Sequence, residues 1–436
     1  MHAILVTMGT DGDVFPYVGL GARLMGRGHR VTLAGPETYH GLAAEHGLEF
    51  HSLVSQAAAD EFLASPDLWH PIRSGLHGAR WGARFIRGHY DLLAELARDA
   101  DAVIVTNPGI LAARLVQDRH AKPVATLLLQ PGLLPSVCAP PVMPALSLPQ
   151  WAPRWAGHVY WRMVDAAGDL LIGGELNRVR DSLGLPPVRR IFRWWLSPQL
   201  VIGMFPDWYA APQADWPKQL RLAGFPRFDG GASGGLPADL VDFCRAAAPP
   251  IAFTLGTGMR HAADFFRAAV EACGLLGRRG ILLTRHAHQL PTPLPAAVRH
   301  VAFAPFQELL PLCAAVVHHG GIGTTARALA AGTPQLVLPL AWDQPDNAAR
   351  VRRLGAGSSL GARQRTATRL AEALAGLLTV EAQARCRGLS ARFGNDDALE
   401  RAAAWLEELS QPARPPAPDA RAAERPGSLR GSTAAH

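Results

Sequence analysis

Short, wholly apolar runs that end in a glycine loop and restart as a helix constrain this chain more than any other feature. Residues 2–8, HAILVTM, are rich in branched side chains and lead into the turn GTDGD. PYVGLGARLMGRG then sets Val18, Leu20, Leu24 and Met25 on roughly one helical face, with Gly28 suited to its C-terminal end. HRVTLAGP supplies a second strand, and DAVIVTNPG (101–109) and PVATLLLQP (123–131) repeat the pattern. A second set starts near residue 250 with PPIAFTLGTG (249–258), ILLTR (281–285), AAVVHH (314–319) and PQLVLPL (334–340). Continuous apolar runs suit strands buried on both faces, and strands alternating with helices build parallel sheets. The expected fold is therefore α/β, with two Rossmann-like, doubly wound parallel-sheet domains facing a cleft. In such sheets ligands sit beyond the carboxyl ends of the strands.

The 436 residues exceed one ordinary core. GFPRFDGGASGGLP (224–237) has the composition of a linker. The expected divisions are a first domain at 1–223, a linker at 224–248, a second domain at 249–394, a last helix at 395–411 and a disordered tail at 412–436.

Of 43 cationic residues only Lys122 and Lys218 are lysines, and the arginines are scattered without a basic block. That distribution argues against a nucleic-acid arm and for a secondary preference for anionic ligands. Cys138, Cys244, Cys273, Cys313 and Cys386 show no CxxC spacing and read as small hydrophobes of a reducing compartment. The N-terminus enters a strand at once and no run of about 18 apolar residues occurs. A soluble, cytoplasmic protein is expected, with a peripheral contact at the inner membrane face left open.

Three loops of the second half carry chemistry. Gly256-Thr257-Gly258 follows one strand, and His319-Gly320-Gly321-Ile322-Gly323-Thr324-Thr325 follows the next. Trp342-Asp343-Gln344 follows a third. The second loop opens a helix, and a helix N-terminus with glycine amides and a threonine hydroxyl is an anion site, for which a diphosphate is the natural guest. A tight structural turn is the alternative. Neither a P-loop nor GxGxxG is present. Asp343 and Gln344 suit vicinal sugar hydroxyls, or else an exposed helix cap.

Residues 301–347, VAFAPFQELLPLCAAVVHHGGIGTTARALAAGTPQLVLPLAWDQPDN, resemble the donor-binding signature of the family 1, UDP-glycosyltransferase-like inverting glycosyltransferases of GT-B fold. GTDGDVFP resembles the N-terminal loop of their bacterial branch, with the rhamnolipid-pathway rhamnosyltransferases closest and the antibiotic and sterol glycosyltransferases near. The resemblance implies transfer of a hexose or deoxyhexose from a nucleoside diphosphate sugar, of dTDP-rhamnose or UDP-glucose type, to a lipophilic hydroxyl acceptor. It implies a diphosphate held by His319 and Gly320 to Thr325 (Gly321, Gly323 and Thr324 among them), with Gly256 and Thr257 opposite. Phe303 would stack on the base, the Ala304 backbone would read its edge, and Asp343 and Gln344 would contact the sugar. Asp13 matches the acceptor-activating base, with Asp11 a nearby decoy. No cofactor and no metal are implied, and the last helix would cross back to the first domain. Two positions depart from plant-type enzymes: Phe306 replaces a glutamine, and Arg327 a ribose-binding glutamate, which leaves room for a dTDP-sugar. A sugar-nucleotide epimerase and a non-catalytic helper are the alternatives.

Nine of eleven tryptophans lie in 69–216: Trp69, Trp81, Trp151, Trp155, Trp161, Trp194, Trp195, Trp208 and Trp216. They read as core, as an apolar acceptor channel for a hydroxy-fatty acyl, polyketide or sterol alcohol, or as an interfacial patch. His286 and His288 form an HxH pair that reads as a surface loop.

Overall fold

The computed structural model describes residues 1–149, 151–231, 235–394 and 397–411. The expected tail at 412–436 lies outside them. The first sheet holds seven strands: β1 (His2–Val6), β2 (Arg30–Pro36), β3 (Glu49–Val54), β4 (Ala102–Thr106), β5 (Val124–Leu128), β6 (Leu200–Gly203) and β7 (Leu220–Leu222). Their order is β3-β2-β1-β4-β5-β6-β7, every pair parallel. The second sheet is formed by β8 (Ile251–Phe253), β9 (Gly280–Leu283), β10 (Val298–Val301), β11 (Ala315–His318), β12 (Gln335–Val337) and β13 (Gly357–Ser359), ordered β10-β9-β8-β11-β12-β13. Both orders are doubly wound and reverse direction between the first and fourth strands. The loops after β1, β4, β8 and β11 therefore splay apart at two switch points, where a ligand can enter.

The helix Asp11–Gly26 begins earlier than the sequence spacing suggests, despite Pro16 inside it. Thr10 is its N-cap, and the Asp13 carboxylate reaches back to accept from the Thr10 amide at 2.9 Å. Asp13 is thus the third helical residue and not the cap itself. The helix Ala398–Ser410 packs against Asp11–Gly26, where Arg27 meets Glu400 and Glu407. The last helix does return to the first domain.

Part of the linker is strapped down. The Arg327 guanidinium, from the helix Ile322–Ala331, donates to Asp229, to the Phe228 carbonyl and to the Gly323 carbonyl. Asp229 also accepts from the Gln307 amide at 3.0 Å. Both side chains of the pair are largely buried, and burial lowers the Arg327 pKa to about 10. Removing one partner of a buried pair strands the other charge. Asp229→Ala is expected to cost about 3 kcal/mol, the low end for such a loss, because two carbonyls still receive the guanidinium. An earlier urea transition would show it.

Candidate active site

A cleft of about 920 Å³ separates the two sheets and is lined from both domains. Strand β1 ends under the loop Met8–Thr10, which lines it together with Asp11 and Asp13. The two acids that open the following helix have different surroundings. Asp11 is buried, accepts from the Tyr39 hydroxyl at 2.8 Å, and pairs with Arg285 of the opposite domain at 3.2 Å. Asp13 keeps one carboxylate oxygen on the Thr10 amide and lines the cleft. The residue in front of it has to be glycine, since Gly9 has φ 128° and a Cβ there would lie 2.2 Å from an Asp13 carboxylate oxygen. Burial raises the Asp13 pKa from 3.8 to about 6 against the lowering effect of the Thr10 hydrogen bonds.

The HHGG run assigns its two histidines separate tasks. His318, the last residue of β11, is fully buried; it meets the Gln335 carboxamide oxygen at 3.0 Å and accepts from the Gly320 amide at 3.1 Å. Burial holds its pKa near about 3, so it is a neutral brace. His319 points to the cleft with its ring against Gly256 and Gly321, where a Cβ would meet ring atoms at 2.7 Å. Burial lowers its pKa to about 4, and its Nδ1 is buried without a partner. Beyond it Gly321 caps the helix Ile322–Ala331, whose first amides have no carbonyl one turn earlier. Gly323 and Thr324 line the cleft at that positive helix end.

Two members of the expected diphosphate loop, Gly320 and Thr325, do not line the cleft. The Gly320 amide is engaged by His318, and its carbonyl accepts from Asn347 at 2.9 Å. The Thr325 amide closes the first helical turn on the Gly321 carbonyl, and its hydroxyl is buried without a partner. Gly256 donates its amide to the Thr254 hydroxyl and, like Thr257, lines the cleft. These groups shape the loop, and the open donors are those of the helix end.

Asp343 caps the helix Gln344–Arg353 by position, yet its carboxylate does not cap. It accepts from Asn347 at 2.6 Å and lines the cleft. Burial, and then the nearby Asp13 charge, raise its pKa to about 7. The Gln344 carboxamide oxygen holds the Leu340 and Ala341 amides, which leaves its NH₂ for a ligand. Phe303 is 39% exposed with the Arg285 guanidinium 5.4 Å from its ring centre, and Ala304 is buried beside it.

The domains meet closely around this site. A Cβ on Gly323 would lie 3.5 Å from the Gly12 Cα, and the Trp342 indole donates to the Leu68 carbonyl at 2.9 Å. Arg285 escaped the sequence reading because one arginine among 41 carries no local signal; its place just after β9 was the available clue. The tryptophans divide between roles. Trp161 is buried and donates to the Ser136 carbonyl, and Trp194 lies between the Arg114 and Arg180 guanidinium groups. Trp69, Trp81 and Trp195 line an apolar arm of the cleft that runs into the first domain as far as Leu171 and Phe192. Among the described residues no group of three or more His, Cys, Asp or Glu is placed to hold a metal, and no helix is long and apolar enough to cross a membrane.

Two family models match. The glycosyltransferase family 28 N-terminal domain covers residues 3–108, and the erythromycin biosynthesis protein CIII-like C-terminal domain covers residues 279–403. The vancomycin aglycone glucosyltransferase of Amycolatopsis orientalis is 30% identical over 421 residues, covering 94% of this chain and 98% of the relative. The chain belongs to the GT-B glycosyltransferases. Solved structures of glycosyltransferases share the fold. The glycotransferase of kitacinnamycin superposes with TM-score 0.70 at 21% identity, covering 94% of this chain and 99% of that one. The spinosyn rhamnosyltransferase SpnG complexed with thymidine diphosphate gives 0.66 at 21% identity, covering 93% and 100%. In this glycosyltransferase both matched blocks contribute to one cleft, the first through Asp13 and the second through the helix Ile322–Ala331.

Proposed function

We propose that this glycosyltransferase moves a hexose or deoxyhexose, with inversion and without a metal, from a thymidine diphosphate sugar to the hydroxyl of a large apolar acceptor. One observation carries the reading: a carboxylate of the first domain and the open helix end of the second line the same cleft. Asp13 takes the acceptor proton as the acceptor oxygen bonds to the anomeric carbon. The bond from that carbon to the diphosphate breaks, and its electron pair leaves on the diphosphate. The helix amides and the neutral His319 N–H receive that charge.

Support for thymidine comes from the ribose end. Arg327 stands where plant-type enzymes are expected to carry a carboxylate, and Asp229 is already engaged by Arg327 and the Gln307 amide. Among the described residues no free carboxylate there waits for a 2′-hydroxyl, and the SpnG structure holds thymidine diphosphate. Support for the acceptor class comes from the apolar arm, which a sugar-nucleotide epimerase would not need. The test is a mass-spectrometric transfer assay with dTDP-rhamnose and UDP-glucose against pooled hydroxy-fatty acyl, polyketide and sterol alcohols, alongside calorimetric binding of TDP and UDP. A sugar mass gain from the thymidine donor supports the reading. Tighter UDP binding overturns the donor assignment, and donor turnover without acceptor gain points to an epimerase.

The base also sets a pH profile. Only ionised Asp13 accepts a proton, so kcat/KM is expected to rise with pH through about 6. A profile flat down to pH 4.5 would remove Asp13 from the base role.

A further inference from the structure

Seven of the thirteen exposed large apolar side chains among the described residues fall within 146–171. They gather on the solvent face of the long helix Arg154–Ser182 and on the loop before it. Trp155 is 69% exposed, Met163 60% and Leu170 85%, with Val159 between them and Trp151 at 84% just ahead of the helix. At 3.6 residues per turn, Trp155, Val159, Met163 and Leu170 share an arc of about 80°. Arg154, His158 and Arg162, all exposed, fill the adjoining arc. Two acids, Asp165 and Asp169, fall in the basic arc, and both are engaged. Asp165 is buried against Arg193, and Asp169 is engaged by the Arg190 and Ile191 amides. Among the described residues Arg162 pairs with no acid.

We infer that this face is a docking surface for an anionic lipid bilayer. An apolar band of this extent is uncommon on a freely soluble surface. A bilayer, and no small ligand, matches its parts: the band suits the acyl boundary, tryptophan the interface, and the basic row the phosphate headgroups. Arg154 and Arg162 are the exposed charges of this flank, so a second copy docked on the same face would bring like charges into one contact, whereas anionic headgroups neutralise them. The exposed apolar surface also reaches the site. Leu171, about 80° farther round the helix than Met163, and Leu146 ahead of the helix are exposed and line the apolar arm of the cleft, as do Ile172 and Phe192. An amphiphilic acceptor can thus pass from the bilayer into the arm without crossing water. The surface exists whether or not the transfer reaction is as described above.

The test is flotation of the full chain with phosphatidylcholine vesicles with and without phosphatidylglycerol. The protein is expected to float with anionic vesicles and to be released by salt. A triple variant, Trp155→Ser, Val159→Ser and Met163→Ser, is expected to lose at least about tenfold in partitioning. Arg154→Glu with Arg162→Glu is expected to lose about fivefold or more per arginine on anionic vesicles alone. Both variants alter exposed positions, and thermal unfolding matching the parent shows that they fold. A full chain that stays in solution with both vesicle types overturns the inference. So does a triple variant that floats as well as the parent, or a concentration-dependent dimer that only the triple variant abolishes.

Discussion

Asp13→Asn lowers kcat by about 10²- to 10⁴-fold, the range expected for loss of a positioned general base. Donor affinity is expected to stay unchanged, because Asp13 belongs to the domain opposite the loop proposed to hold the diphosphate. The variant is informative because it leaves the local fold in place. Asparagine keeps a carbonyl oxygen for the Thr10 amide, which is the contact that orients the carboxylate at the third position of its helix. Stability should not suffer at neutral pH. Burial raises the folded pKa of Asp13 from 3.8 to about 6, so the folded state holds the proton more tightly than the unfolded chain. Stability contributed by this group is therefore lost as pH rises through that window, and a neutral side chain avoids the loss. A thermal midpoint at pH 8 equal to or above the parent, with turnover collapsed, is the expected pair of results. Near-full turnover would end the base assignment.

His319→Ala lowers kcat by about 10²- to 10³-fold and weakens thymidine diphosphate binding roughly tenfold or more, by removing a donor aimed at a charged leaving group. Its neighbour is the control. His318→Ala should act on stability first, because it deprives Gln335 and the Gly320 amide of their buried partner. The two substitutions change adjacent residues of one type, so the contrast between lost binding and lost stability separates anion recognition from loop bracing. Unchanged nucleotide affinity in His319→Ala would make the whole loop a structural turn.

For most strands buried on both faces the sequence carried the signal plainly, although β6, LVIG, is buried throughout and was missed. HAILV and AVIVT are buried at every position, and AVVH likewise, so their apolar runs are continuous. The edge strands β3, β7 and β10 left no such trace, because each shows solvent or half-buried positions that mix polar with apolar residues, and β13 is Gly-Ser-Ser with no apolar side chain. The long helix Arg154–Ser182 was hidden for a different reason. Its exposed face is apolar as well as its buried face, which erases the periodic contrast that marks a surface helix.

The sequence by itself determined the α/β class, the two sheets, the helix end at Ile322 and the short set of residues from which a donor site could be made. These follow from local spacing, which is written residue by residue along the chain. Only the tertiary structure decided which of two acids is available, since Asp11 is occupied by Tyr39 and by Arg285, 274 residues away. It also decided that His318 braces while His319 faces the cleft, and that the linker is fastened at Asp229 by Arg327. Those distinctions depend on partners distant in sequence. Burial and charge are properties of the assembled neighbourhood, and no local pattern encodes which groups the fold will bring together.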